Sequence, residues 1–250
     1  MSGHSKWSTI KRKKGAADAK RGQLFTRLGR EITIAAREGG AEAEANFRLR
    51  LAIDKARQAN MPKENIERAI MRGAGGGKDG VALESVIYEG YGAGGTAIMV
   101  EVLTDNRNRA VSEVRRVFSR SGGNLGETGC VGWMFERKGV LTIDATGQDA
   151  EAIALAAIDA GAEDVKVEGG SVEVYAAVED FQGLREALAG QFTVEDADLS
   201  WVPKTLFQPD HRTIVQNMRL IEALEEIDDV QVVHSNLDIS DAALAEFEAA

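Results

Sequence analysis

The chain has 250 residues, 44% of them apolar and 28% charged, with 27 Gly, 3 Pro, one Cys and a formal charge of −10. That length supports a sizeable core in one large domain or two to three small ones, and the apolar content excludes disorder as the overall state. No apolar run approaches a membrane span, no apolar signal segment follows the charged start, and one Cys with three scattered His has no zinc-ligand spacing. The expectation is a cytoplasmic protein with no cofactor, no metal and no membrane association.

Residues 1 to 23 read as a basic arm with little apolar patterning. From Gln23 the pattern turns helical, with Leu24, Phe25, Leu28, Ile32 and Ala35 on one face and Gly39-Gly40 as the stop. A second helix is expected over about 45–59, with Phe47, Leu51, Ala52, Ala56 and Ala59 inward. Pro62 opens a third that ends at Gly73. GAGGGKDG, residues 73–80, reads as a linker. The period then changes to two, predicting strands over 84–91 and 96–104 joined by a Gly-rich turn. Asp105-Asn106 caps a helix over about 107–120, and a strand is expected around 131–136. Residues 139–203 alternate as strand, helix, strand, strand, helix and strand, the βαββαβ order of a ferredoxin-like unit. Residues 204–250 add one helix, about 211–226, and one strand, 230–234, which complete the sheet begun at residues 84–138.

The predicted fold is thus α+β and multidomain: an N-terminal three-helix domain followed by two α/β domains. The arm and helical domain take residues 1–75. A discontinuous α/β domain takes 80–138 with 204–250, and the acidic ferredoxin-like unit, 139–203, is inserted into it.

Motifs for enzymatic chemistry fail on inspection. Gly90 to Gly95 formally matches GxGxxG, but a strand follows where the dinucleotide fingerprint needs a helix N-terminus, so a hairpin turn is expected. The run ending at Lys78 has Arg72 where a phosphate-binding loop has its first Gly, and Asp79 where it has Ser or Thr. Cys130 lacks a recognisable His partner and reads as a small packed thiol. The acids of the last third spread evenly, with no catalytic pair among them.

The charge distribution is the informative feature. Residues 1–75 carry 17 basic and 8 acidic side chains, residues 76–138 carry 8 of each, and residues 139–250 carry 5 basic and 24 acidic. One end of the chain is built to meet a polyanion, while the other keeps the protein soluble. The first thirty residues hold nine Lys or Arg (Lys6, Lys11, Arg12, Lys13, Lys14, Lys20, Arg21, Arg27 and Arg30) against Asp18 alone. Such an arm gains affinity from counterion release without reading sequence. Trp7 among these charges has two readings, an aromatic that stacks on an unpaired base or a local core anchor. Arg107 and Arg109, with Arg115, Arg116 and Arg120 on the same helix, form a second candidate phosphate patch beside the cap.

GHSKW (residues 3–7), KRKKGAADAKRGQLFTRLGREITIAAREGG (11–40), LRLAIDKARQANMPKENIERAI (49–70), YEGYGAGG (88–95), TDNRNR (104–109) and GGNLGETGCVGWMF (122–135) together resemble the YebC/PmpR family over about residues 2–240. Cys130 stands where the resemblance leads one to expect Ser, and Phe47 where it leads one to expect Pro. The resemblance implies three domains with the third inserted in the second. Members are described as DNA-binding transcriptional regulators. The related mitochondrial translational activator of cytochrome oxidase acts on translation, and bacterial members are connected with ribosomes stalled at proline-rich segments. The expected function is therefore non-enzymatic nucleic-acid binding in the regulation of gene expression, with promoter DNA as partner. Ribosomal RNA and the ribosome are the alternative partners. A third reading has the α/β domains bind a small molecule or protein while the arm only localises the chain. The sequence leaves the oligomeric state open, with a monomer the favoured reading.

Overall fold

The computed structural model describes Trp7 and residues 18–75, 83–168 and 170–249; of Asp18 to Lys20 and Glu168 it describes the backbone only. The tip of the arm and residues 76–80 of the expected linker lie outside the described residues. The chain divides into two compact units, Phe135–Lys204 and Ser2–Met134 with Thr205–Ala250.

Three helices open the larger unit: α1 (Asp18–Gly39), α2 (Phe47–Gln58) and α3 (Lys63–Gly73). α1 starts five residues before the expected Gln23 and takes Lys20 and Arg21 into the helix. Leu28, Ile32, Ala35 and Ala36 pack on Leu49, Ala52, Ile53 and Ala56 of α2 and on Ile66 and Ala69 of α3. Leu24 is exposed although the periodicity places it inward, because α2 and α3 cover α1 only from about Leu28 onward. Asn46 caps α2 by accepting from the Leu49 N–H, and its amide donates to the carbonyls of Ala35 and Gly40. The α1–α2 corner is thereby closed on buried polar partners. Gly73 permits the close approach of α3 to α1, since a Cβ there would lie 2.3 Å from the Thr33 carbonyl oxygen.

The rest of this unit is a four-stranded antiparallel sheet in the order β3-β1-β2-β8, made of β1 (Glu84–Tyr91), β2 (Ala97–Thr104), β3 (Asn124–Leu125) and β8 (Val230–Ser235). It shares a core with α4 (Arg107–Arg120), α7 (His211–Glu225) and α8 (Asp241–Ala249), containing Ile98, Val100, Phe118, Met218, Leu220, Val233 and Phe247. The GxGxxG segment is a hairpin turn, with Tyr91 opposite Ala97 and Gly94 and Gly95 at positive φ. Gly92 lacks a Cβ where Asn217 of α7 approaches, and the Asn217 amide donates to Ala93 O and to Thr96 Oγ1. Those glycines serve a turn clamped by a helix and not a phosphate.

The smaller unit contains β4 (Phe135–Asp144), α5 (Ala150–Asp159), β5 (Asp164–Glu168), β6 (Ser171–Ala176), α6 (Phe181–Ala189) and β7 (Val194–Pro203). Its strand order, β5-β6-β4-β7 with every pair antiparallel, is that of a ferredoxin-like βαββαβ fold.

Two expected elements change. The strand expected at 131–136 and the first strand expected in 139–203 are one strand, β4, and residues 132–134 form a short 3-10 turn before it. Gly139 reads as a break but marks a close approach: a Cβ there would fall 2.1 Å from the Phe181 ring, so its absence lets α6 lie on an unbroken strand. The larger sheet recruits Asn124-Leu125 in place of the 131–136 strand. The second change is α8, which the sequence reading lacks and which buries Ala243 and Phe247.

Candidate nucleic-acid interface

Of the residues expected to meet nucleic acid, Lys6, Lys11, Arg12, Lys13 and Lys14 lie outside the described residues, as does the side chain of Lys20. Arg21 is exposed on the first turns of α1, with its guanidinium over the Phe25 ring.

Trp7 is only 7% exposed. Its indole N–H donates to Glu225 Oε2 at 3.0 Å, and its ring meets Phe247 of α8 at 5.5 Å between centroids. The core-anchor reading is the one the structure supports, and a ring held in this way is not presented to a base. The reason is compositional: an indole has apolar faces and one donor, and α7 and α8 supply apolar walls and one carboxylate.

Arg27, Arg30 and Arg109 also depart from expectation, since all three turn onto the segment that joins α7 to β8. The last carbonyls of a helix lack intrahelical partners and carry the negative end of its dipole. Here the Arg27 guanidinium donates to the carbonyl of Glu225, and that of Arg30 donates to the carbonyl of Asp228 at 2.6 Å. Burial pushes Arg27 below its ordinary value, against the raising effect of Glu225 and Asp228. Asp229, 3% exposed, is the hub. It pairs with Arg30 at 3.0 Å and Arg109 at 2.7 Å and accepts from Thr104 Oγ1 at 2.8 Å. Hydrogen bonds to Asp229 and to Asp105 hold Arg109 above its ordinary value. Gln23 reaches Asp228, and Arg37 donates to the Leu83 carbonyl, so α1 is fastened to the segments that lead into β8 and β1. These guanidiniums tie parts of the larger unit to one another.

The α4 patch is thereby reduced and moved. Asn106 is the N-cap, accepting from the Arg109 N–H, and Arg107 lies 3.7 Å from Glu84. Arg115, Arg116 and Arg120 are exposed, and among the described residues no carboxylate pairs with them. They are the available cations of this helix.

A feature the sequence reading passed over lies at the far end of β1. Glu89 is buried, and its carboxylate accepts from the backbone N–H groups of Gly129 (2.8 Å), Val131 (2.9 Å) and Gly132 (2.6 Å). Burial pushes this carboxyl up, but the three N–H donors together outweigh it and hold the group below its ordinary value of 4.5. The pinned loop presents Trp133, 68% exposed, whose indole N–H donates to the Cys130 carbonyl at 3.1 Å. The Tyr91 hydroxyl donates to the same oxygen at 2.8 Å. The only sequence cue was a tryptophan in a Gly-rich loop. Cys130 itself is half-buried, and burial with the Glu89 charge raises its thiol. His211 and His234 pair with Glu246 and Glu101 instead.

Glu89→Gln is expected to cost roughly 1 to 3 kcal/mol, because an NH2 group then faces backbone donors in a buried site. A carboxyl with a lowered folded-state pKa contributes stability above the unfolded value and loses it as pH falls through the folded one. The wild type should therefore shed this contribution below about pH 4.5, and the variant should lack that part of the acid dependence. Urea unfolding at several pH values measures both.

Among the described residues no helix is long and apolar enough to cross a membrane, and no three His, Cys, Asp or Glu side chains gather as metal ligands. Two family models match the chain: the TACO1/YebC protein N-terminal domain over residues 5–76, and the TACO1/YebC second and third domain over residues 83–237. A protein of Chloroflexus aurantiacus named "Probable transcriptional regulatory protein" is 54% identical over 253 residues, covering 100% of both chains. One of the same name from Rubrobacter xylanophilus is 54% identical over 248 residues, covering 98% of this chain and 99% of its own. The crystal structure of a conserved hypothetical protein from Aquifex aeolicus superposes with a TM-score of 0.83 at 47% identity, covering 90% of this chain and 93% of that one. With both family models together spanning most of its length and relatives of this identity matching end to end, the chain belongs to the TACO1/YebC family.

Proposed function

We propose that the protein is a non-enzymatic, nucleic-acid-binding regulator of gene expression, acting in the cytoplasm as a DNA-binding transcriptional regulator. The observation that carries this reading is the placement of charge. Lys11, Arg12, Lys13 and Lys14 fall between Trp7, held in the core, and Asp18, where α1 begins. A basic segment anchored at both ends surrenders less freedom on binding phosphates than a free tail does. The names of the relatives support the transcriptional form of the reading.

A second reading, a ribosome-associated translation factor that binds ribosomal RNA and relieves stalling at proline-rich segments, is favoured by exposed Trp133. A solvent-facing indole suits unpaired bases better than a duplex backbone.

Changing Lys11, Arg12, Lys13 and Lys14 together to Ala should weaken binding to every sequence. It should flatten the log–log salt dependence by about 0.7 to 0.9 for each phosphate that is no longer neutralised. Unchanged affinity overturns the arm as a binding element. Crosslinking in growing cells, with the bound DNA and RNA both sequenced, separates the two readings. Promoter DNA enriched only when residues 1–22 are present supports the first, and one patch of ribosomal RNA supports the second.

A further inference from the structure

We propose that the outer face of the α4–α7 pair is a second phosphate-contacting surface, on which Arg116 and Arg120 of α4 and Arg212 and Arg219 of α7 engage the backbone of a nucleic-acid duplex. This rests on the nucleic-acid-binding reading and adds to it a surface remote in sequence from the arm.

Two contacts fix how these helices lie. Gln216 of α7 donates to the carbonyl of Ser121, the residue after α4, at 2.8 Å. At the other end Arg109, on the first turn of α4, reaches Asp229, which follows the end of α7. The helices therefore run antiparallel, and both bury their inner faces in one core, through Ala110, Val114 and Phe118 and through Ile214, Met218 and Ile221.

Helical periodicity then places the arginines. Arg109, Arg116 and Arg120 recur at seven and four residues and share one stripe of α4, which the contact of Arg109 with Asp229 shows to be the stripe turned toward α7. Arg212, Gln216 and Arg219 recur at four and three residues and are all exposed, and the bond from Gln216 to Ser121 shows that their stripe is turned toward α4. The four arginines thus line the two sides of the seam that Gln216 closes. Arg212 and Arg219 are two of only five basic residues in the acidic stretch 139–250.

Among the described residues no carboxylate pairs with any of the four. Glu113, the one acid in α4, is half-buried. Glu222 shares the flank of α7 that carries His211, which pairs with Glu246 of α8, and Asp210 is occupied as the N-cap of α7. Cations gathered without counter-charges repel one another, and an anionic ligand relieves that repulsion. Guanidinium forks suit phosphate oxygens. Neither helix exposes a large apolar side chain, so the face offers no ring to an unpaired base and no anchor to a protein partner. A duplex, with its bases inside and its phosphates outside, asks for neither.

The test uses the full chain and a fluorescein-labelled DNA duplex of roughly 20 base pairs, titrated at several salt concentrations. Changing Arg116, Arg120, Arg212 and Arg219 together to Gln should weaken binding at low salt by roughly 10-fold or more and flatten the log–log salt dependence by about 0.9 for each, roughly 3.6 in all. Arg116→Gln with Arg120→Gln, and Arg212→Gln with Arg219→Gln, should each give about half of that change. All four side chains are exposed, so thermal melts should match the wild type. A single strand of the same length should lose less affinity than the duplex, and poly-glutamate of equal charge should compete poorly. If the α4 pair alone moves the slope, the two-helix surface is overturned. An equal or greater loss on the single strand overturns the duplex as ligand, and poly-glutamate that competes as well as unlabelled duplex puts an acidic protein in its place. If the fourfold variant binds as the wild type does while the arm variant loses affinity, the surface is overturned and the general reading stands. If the wild type binds neither duplex nor single strand, both fall.

Discussion

Replacing Trp7 by Ala is expected to destabilise the unit that contains it by about 3 to 5 kcal/mol, the cost of emptying a large buried aromatic site. The loss combines the packing on Phe247 and the hydrogen bond to Glu225. Trp7→Phe, which keeps a ring but not the N–H, should cost roughly 1 to 3 kcal/mol. Urea unfolding measures both. A residue that stacked on bases would behave in the opposite way, leaving stability near the wild type and lowering affinity alone. Where Trp7→Ala remains folded, its arm is anchored at one end only, and weaker binding should then appear with an unchanged salt slope, because every cation is still present.

The second large effect is expected at Asp229. Asp229→Ala removes the carboxylate that Arg30, Arg109 and Thr104 share and leaves those donors facing a protein wall. Breaking a buried pair costs 3 to 5 kcal/mol, and about 3 kcal/mol is expected here, because Arg109 is 44% exposed and can turn to water. Asp229→Asn should cost less, since the amide oxygen still accepts one of the three bonds. The Ala variant also releases Arg30 and Arg109 from one carboxylate, although Arg30 keeps the Asp228 carbonyl and Arg109 keeps Asp105, so affinity for nucleic acid should hold, or rise slightly, while stability falls. Loss of affinity in a folded Asp229→Ala protein would show that Arg30 and Arg109 act at the interface through the geometry this carboxylate imposes. Unfolding curves paired with a salt titration of binding give both quantities from one preparation.

Much of the architecture was legible because it depends on local rules. The βαββαβ order follows from where the hydrophobic period switches between two and 3.6, and the strands and helices of 139–203 fall within a few residues of expectation. The turn at 90–95 was legible because the strand after it leaves no helix N-terminus for a phosphate. α8 was not, because it buries only Ala243 and Phe247, and Phe247 alone signals a core that includes Trp7 from the other end of the chain.

By itself, then, the sequence determined the order and type of the elements, the family, and the excess of positive charge in the first thirty residues, all properties of neighbouring residues or of their sum. Tertiary structure alone decided which of those charges face outward. Arg27, Arg30 and Arg109 carry the same formal charge as Arg21 and Arg120, yet those three answer the carbonyls and carboxylates at the end of α7, some 120 to 200 positions away in the chain. Trp7 and Trp133 were likewise two tryptophans in polar, Gly-containing surroundings. One is buried because Glu225 and Phe247, more than 200 residues distant, close over it. The other is exposed because Glu89 gathers the loop's N–H groups beneath it and leaves the indole outside. Burial is a property of pairs brought together by folding, and no local pattern carries it.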